Sequence, residues 1–148
     1  QDTNNFGAIV RSAAAFGFET IFIPKKRSVK ITERTFSIAS GGMEYIDIVL
    51  YNSIFSLLKK IKANNYWTIG LDMSTKDKIK DINLTNQKVA LVLGSEENGI
   101  CSEIQKKLDL TAQVDMTENM EVILIVCGAI CAVLKSDLLI IFSYIFCS

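Results

Sequence analysis

Short apolar clusters of strand length alternate with helix-length patterns along this chain, and this alternation restricts its possible folds more than any other feature. The clusters predicted as strands are residues 20–23, 46–50, 67–71, 89–93 and 112–116. The fourth is apolar throughout, which is typical of a central strand covered on both faces. The order favours an α/β fold with a mostly parallel sheet and helices on both faces.

Helix propensity and spacing predict the helices between these strands. Residues 5–16 are rich in alanine and are followed by Gly17, a frequent residue at helix C-termini. Ser53 precedes apolar residues at helical spacing. Residues 102–105 match a capping box that begins a short helix, and a final apolar helix follows the last strand. No repeat or linker divides the sequence, so we expect one domain over residues 1–148.

The composition excludes several classes of protein. The chain has 148 residues, with 16 basic and 16 acidic side chains and no histidine, so a Ser-His-Asp triad and a histidine proton shuttle are impossible. Zero net charge means that any RNA contact must come from a local patch. The four cysteines lack metal-ligand spacing, so we expect no metal. They fit a reducing compartment, and the first residues do not resemble a signal peptide, so we expect a cytoplasmic protein.

The last part of the chain, residues 122–148, is strongly apolar, and its only charged residues are Lys135 and Asp137. A membrane-spanning helix needs about 20 consecutive apolar residues, and these charges interrupt the run. We therefore expect no membrane segment and predict a buried or dimer-facing helix. Residues 135–148 form an atypical apolar tail whose role the sequence leaves open.

Ligands of parallel sheets bind beyond the carboxyl ends of the strands. The segment that follows the predicted central strand is Gly94-Ser95-Glu96-Glu97-Asn98-Gly99. Its two glycines allow the backbone to approach a ligand closely, although it matches neither a P-loop nor the dinucleotide fingerprint. As a pattern alone, it fits a binding site and an ordinary turn equally well.

Two further groups of residues suit an anionic ligand. Asn5 and Arg11 lie at and just inside a predicted helix N-terminus, where free N–H groups attract anions. Taken alone, a helix cap and a solvated charge are the simpler interpretation. The one dense basic segment comprises Lys25, Lys26, Arg27, Lys30 and Arg34. Such a segment is usually a solvated loop, but on a neutral chain it is the best candidate for contacting RNA phosphates.

Four segments of the chain carry motifs in a fixed order. The first is Asp2-Thr3-Asn4-Asn5-Phe6-Gly7-Ala8-Ile9-Val10-Arg11-Ser12-Ala13. The others are Ala39-Ser40-Gly41-Gly42-Met43-Glu44, the glycine segment within residues 91–100, and Val114-Asp115-Met116-Thr117 with Asn119-Met120-Glu121. Together they closely resemble the SpoU/TrmH-type RNA 2'-O-ribose methyltransferases of the SPOUT superfamily, as far as about Leu134.

This resemblance implies an α/β fold with a C-terminal trefoil knot, a homodimer, and S-adenosyl-L-methionine as the cofactor. The implied reaction is methyl transfer to a ribose 2'-hydroxyl of ribosomal or transfer RNA. By motif position, the catalytic residues are Asn5, Arg11 and Glu96. The cofactor pocket corresponds to Leu71, Leu93, Gly94, Val114, Met116 and Ile123. The expected RNA contacts are Arg11, Lys25, Lys26, Arg27 and Lys30.

The chain departs from the family pattern in its third motif. Where the family has Ser-Leu-Asn, this chain has Val122-Ile123-Leu124, so two polar side chains are replaced by aliphatic ones. The chain also opens on the first motif, so we expect a domain without the strand that precedes that motif in the family. Two alternatives stay open: a catalytically impaired member that retains RNA or cofactor binding, and a nucleotide-binding or membrane-associated α/β protein.

Overall fold

The computed structural model describes residues 2–27, 33, 37, 41–84, 87–94, 98–113 and 138–143. The helices and strands within them are α1 (Asp2–Ala15), β1 (Thr20–Pro24), β2 (Asp47–Tyr51), α2 (Ile54–Ala63), β3 (Tyr66–Leu71), β4 (Lys88–Leu93), α3 (Ser102–Gln105), β5 (Leu110–Ala112) and β6 (Leu138–Phe142). None of the described helices combines the length and the apolar composition that a membrane-spanning segment requires.

The strands form one sheet in the order β2-β1-β6-β4-β3-β5, and every neighbouring pair is parallel. This confirms the predicted α/β class. β4 lies in the interior of the sheet, where alternate side chains enter two separate cores: Val89 and Leu91 enter one, and Ala90 and Val92 the other. A strand that is buried on both faces must be apolar throughout, which explains the run in the sequence.

Helices cover both faces, as predicted. α1 buries Phe6 and Val10 in the core that contains Leu91. α2 buries Leu58 and Ile61 in the opposite core, which α3 also joins. The hydroxyl of Ser53 accepts a hydrogen bond from the Ser56 amide at the start of α2, so Ser53 caps this helix.

The apolar end of the chain contributes the third strand of the sheet. β6 pairs with β1 on one side and with β4 on the other, and Ile140 lies opposite both Ile21 and Leu91. Ile140 enters the core beside α1, whereas Leu139 and Ile141 enter the core beside α2. Period-two alternation of this kind is typical of a strand. The helix predicted for residues 122–148 is therefore wrong for the part that forms β6, although the predicted burial is correct.

Two other boundaries differ from the prediction. β5 begins at Leu110, two residues before the predicted start at Ala112, because its pairing with β3 begins there. Residues 114–116 of the predicted strand lie outside the described residues. The capping box at residues 102–105 is also wrong, because Cys101 occupies the N-cap of α3 and makes no side-chain cap bond. The Gln105 side chain bonds elsewhere, as described below.

Some predictions lie outside the described residues. The final apolar helix falls in residues 114–137, which the structure does not describe, and the described residues do not show the implied C-terminal trefoil knot. Both stay predictions.

A substitution in β6 tests whether the apolar tail forms a core strand. Ile141 is fully buried, so Ile141→Ala leaves a cavity and should lower the free energy of unfolding by about 2–5 kcal/mol in urea titration. The control is Val49→Ala on edge strand β2, where the side chain is 40% exposed, with an expected loss below about 1 kcal/mol. Equal losses in the two variants would contradict the position of β6.

Candidate functional site at the carboxyl edge of the sheet

Neighbouring parallel strands bring three of the predicted site residues to one edge. β3 ends at Leu71 and β4 at Leu93, and these two residues lie opposite each other in the register. Ala112 at the end of β5 is the partner of Leu71 on its other side. Because adjacent strands are about 4.8 Å apart, the backbones at Leu71, Leu93 and Gly94 lie close together.

The two glycines of the segment after β4 lie against each other. A Cβ atom at Gly94 would lie 2.1 Å from the carbonyl carbon of Gly99 and 2.5 Å from the Ile100 nitrogen. No side chain fits in that space. Gly99 has a φ of 63°, in the left-handed region that favours glycine. Both glycines of the motif are therefore required by this backbone, whether or not a ligand binds.

A hydrogen-bonded carboxylate stands beside these strand ends. Asp72 Oδ1 accepts hydrogen bonds from the Ser74 amide and hydroxyl, at 2.8 and 2.7 Å. Its Oδ2 accepts a bond from Gln105 Nε2 at 2.6 Å. Gln105 also donates to the Ile100 carbonyl at 2.8 Å, so it links the segments that follow β3 and β4. In a capping box, the Gln105 side chain would instead bond the backbone N–H at the start of α3. Its bonds to Asp72 and Ile100 explain why it does not do so.

The end of β6 adds a residue that the sequence analysis missed. Ser143 is buried, and both its amide and its hydroxyl donate to the Leu93 carbonyl, at 3.0 and 2.8 Å. A carbonyl oxygen has two lone pairs, so a ligand would have to displace Ser143 to reach this one. The only signal in the sequence was a serine directly after an apolar run.

Arg11 lies on the exposed side of α1, which packs against a glycine turn. A Cβ atom at Gly42 would lie 3.1 Å from the Arg11 Cα and 3.2 Å from the Val10 carbonyl oxygen. Because Gly42 has no side chain, the turn Gly42–Glu44 can pack against the α1 backbone at Arg11. Asn5 lies in the first turns of α1, which begins at Asp2 and so earlier than predicted. The described residues do not include the Asn5 side chain.

The basic segment begins at the same edge of the sheet. A 3-10 turn, Lys25–Arg27, follows β1 directly, and Lys25 and Lys26 are exposed. Since only β6 separates β1 from β4, the turn lies about 10 Å across the sheet from the end of β4. The backbone thus places these two predicted RNA contacts at the edge that holds Leu71, Leu93 and Gly94.

The remaining predicted site residues lie outside the residues that the structure describes. They are Glu96, Val114, Met116, Ile123 and Lys30, together with the side chain of Arg27. Their proposed roles stay predictions.

Comparison with known proteins places the chain in a family. The family model of the SpoU rRNA Methylase family matches residues 1–132, so the chain belongs to this family, which confirms the resemblance seen in the motifs. YacO, a TrmH family protein of Bacillus subtilis (strain 168), is 30% identical over 116 residues, or 78% of this chain and 46% of YacO. The chain therefore spans about half the length of the curated relatives it matches.

Solved structures share the fold. AviRb from Streptomyces viridochromogenes, a SpoU methyltransferase crystallised with AdoMet, aligns with a TM-score of 0.76 and 17% identity over 88% of this chain and 54% of its own. A protein described as an RNA 2'-O ribose methyltransferase aligns with a TM-score of 0.72 and 19% identity, over 89% of this chain and 50% of its own.

The close packing of Gly94 against the Gly99 backbone leads to a direct prediction. Gly94→Ala forces the new methyl group into the Gly99 backbone, and it should lower the free energy of unfolding by about 1–3 kcal/mol in denaturant titration. The control is Ser102→Ala at an exposed position, where we expect a change within about 0.5 kcal/mol. If Gly94→Ala were as stable as the parent, the turn would have more space than the structure gives it.

Proposed function

We propose that this chain is the methyltransferase domain of an S-adenosylmethionine-dependent enzyme that methylates a ribose 2'-hydroxyl in ribosomal or transfer RNA. The observation that carries the proposal is the arrangement of the carboxyl edge, in a chain of the SpoU family. There the ends of β3 and β4 lie side by side, the glycine turn follows β4, and exposed lysines follow β1.

The described residues suit a cofactor held by backbone groups. Leu71 and Gly94 contribute backbone at adjacent strand ends, and Gly94 presents no side chain that would cover its own peptide groups. Asp72 is held by Ser74 and Gln105, which fixes the segment after β3. When bound, S-adenosylmethionine supplies a methyl group on an already activated sulfonium. The work left to the protein is then mainly alignment of the acceptor.

The ribose hydroxyl needs help because an unperturbed alcohol is a poor nucleophile. Arg11 is the candidate for this step. Its exposed guanidinium can contact the RNA phosphate in a bidentate manner and favour removal of the hydroxyl proton. Asn5 and Glu96 are proposed as its catalytic partners by motif position.

Further properties of the proposed enzyme follow from its family. We propose that it acts as a homodimer in the cytoplasm, that residues 1–148 form one domain, and that this domain has a C-terminal trefoil knot. Val114, Met116 and Ile123 would complete the cofactor pocket. The altered third motif, Val122-Ile123-Leu124, is the one observation that favours the impaired alternative, a relative that binds RNA or cofactor without turnover.

Arg11→Lys tests the catalytic proposal. Lysine keeps the positive charge but loses the planar fork, so methyl transfer to an RNA pool should fall by about a hundredfold. The thermal midpoint and the calorimetric affinity for S-adenosylmethionine should stay near those of the parent, because Arg11 is exposed. A variant that unfolds without a specific loss of turnover would contradict the assignment. A parent chain that binds the cofactor but transfers no methyl group would favour the impaired alternative.

The basic turn makes a separate prediction. Changing Lys25 and Lys26 together to alanine should weaken RNA binding. The slope of log K against the logarithm of the salt concentration should become shallower by about one to two, since each phosphate contact contributes about 0.7–0.9 to it. The matched control changes Lys59 and Lys60, two adjacent exposed lysines of α2. A slope that changes equally in both variants would identify the turn as an ordinary solvated surface.

A further inference from the structure

The side chain of Gln105 joins the two segments that leave the carboxyl ends of β3 and β4. Its Nε2 donates to Asp72 Oδ2 at 2.6 Å and to the Ile100 carbonyl at 2.8 Å. A primary amide nitrogen carries two hydrogens, so it can make both bonds at once. Asp72 is the first residue after β3, and Ile100 belongs to the segment after β4. We call this pair of bonds the Gln105 bridge.

The Gln105 bridge completes a closed circuit of contacts at the carboxyl edge. β3 and β4 are paired up to their last residues. Beyond β4, Gly94 lies so close to the Gly99 backbone that no Cβ atom fits between them. Ile100 comes next in the chain, and the bridge connects it to Asp72. The ends of β3 and β4 are therefore joined twice, first by strand pairing and then by the Gln105 bridge.

The two ends of the bridge are held in different ways. The Asp72 amide donates to the Ala112 carbonyl at 3.0 Å, so the backbone at Asp72 is fixed to β5. The Ile100 side chain packs on β3, where a Cβ atom at Gly70 would lie 2.8 Å from its Cδ1. An apolar contact is non-directional, whereas a hydrogen bond restricts both distance and angle. The bridge therefore sets the position and orientation of the Ile100 peptide group relative to β3.

A cofactor that is held by backbone groups depends on such a device. A side chain can adjust to a ligand by changing its rotamer, but a peptide group moves only with the chain. N–H···O bonds need donor–acceptor distances of about 2.7–3.2 Å, so a small shift between the segments after β3 and β4 breaks contacts to a shared ligand. The peptide groups at Leu71 and Gly94 can then bind one molecule only if the two segments keep a fixed separation.

We propose that Gln105 is a positioning residue for the cofactor. Through Asp72 and Ile100 it holds the segments after β3 and β4 at the separation at which their peptide groups bind S-adenosylmethionine. Gln105 acts on the cofactor through these two residues and needs no contact with it. The proposal rests on the proposed function, because it requires the cofactor to bind at this edge of the sheet.

Two substitutions that remove the bridge test this role by calorimetry. The probe is S-adenosylhomocysteine, which lacks the transferable methyl group and therefore allows no turnover. Gln105→Glu keeps the length of the side chain but places a carboxylate against Asp72 and the Ile100 carbonyl, and Gln105→Met removes the donor without adding charge. The Kd should rise about tenfold in both variants, because the segments must then be ordered by the ligand. Unchanged affinity in both variants, folded by circular dichroism, would overturn the proposal.

A compensating substitution separates positioning from a merely structural role. When Asp72→Asn is added to Gln105→Glu, the new amide at position 72 can donate to the new carboxylate, and its oxygen can still accept both bonds from Ser74. The Kd should return to within about threefold of the parent value. The control is Lys106→Gln, an exposed neighbour whose change lowers the net charge equally and should leave the Kd within about twofold. An equal loss in the control, or no recovery in the folded double variant, would contradict the positioning role.

Turnover measurements distinguish this proposal from the proposed function. In Gln105→Glu the KM for S-adenosylmethionine should rise with the Kd, whereas the KM for RNA should stay near that of the parent. A parent chain that transfers methyl groups, with variants whose KM for the cofactor is unchanged, keeps the function and loses the positioning role. A parent chain that binds neither S-adenosylmethionine nor S-adenosylhomocysteine loses the proposed function, and Gln105 then has no cofactor to position.

Discussion

The pairing of β6 between β1 and β4 is the interaction on which the rest of the sheet depends. On one side of β6 the sheet contains β1 and β2, and on the other it contains β4, β3 and β5. In the described residues, no strand pairing other than that of β6 connects these two groups. Removing β6 would leave two small sheets and would expose Ile21 and Leu91, which are now buried. The most apolar part of the chain therefore lies where a parallel sheet needs apolar residues most.

This connection also determines the composition of the candidate site. The turn Lys25–Arg27 follows β1, whereas Gly94 follows β4, and the two segments share an edge because β6 joins both strands in parallel. Ser143 extends the connection past the end of β6 with two hydrogen bonds to the Leu93 carbonyl. A slip of β6 by one residue would exchange its side chains between the two cores and would move this serine away from Leu93. The geometry of the site thus depends on packing inside the sheet.

The sequence predicted most of the fold, because its strongest signals are periodic and local. The apolar run of β4 and the amphipathic pattern of α2 each depend on residues that are close in the chain. The signals that failed depend on distant partners. β6 has the composition of a buried helix or a buried strand, and only its two neighbours decide between them. Gln105 has the spacing of a capping residue, but Asp72, which lies 33 residues away, takes its amide.

The candidate site shows the same division between local and distant signals. Motif resemblance selected Leu71, Leu93 and Gly94, which the sheet brings together, and the pattern of residues 94–99 indicated that its glycines let the backbone approach a ligand. The structure adds a packing requirement at Gly94 and at Gly42. Gly94 must accommodate the Gly99 backbone, and Gly42 must accommodate the α1 backbone at Arg11. Neither contact can be inferred from spacing, because both join segments that are separate in the chain or fold back within a turn.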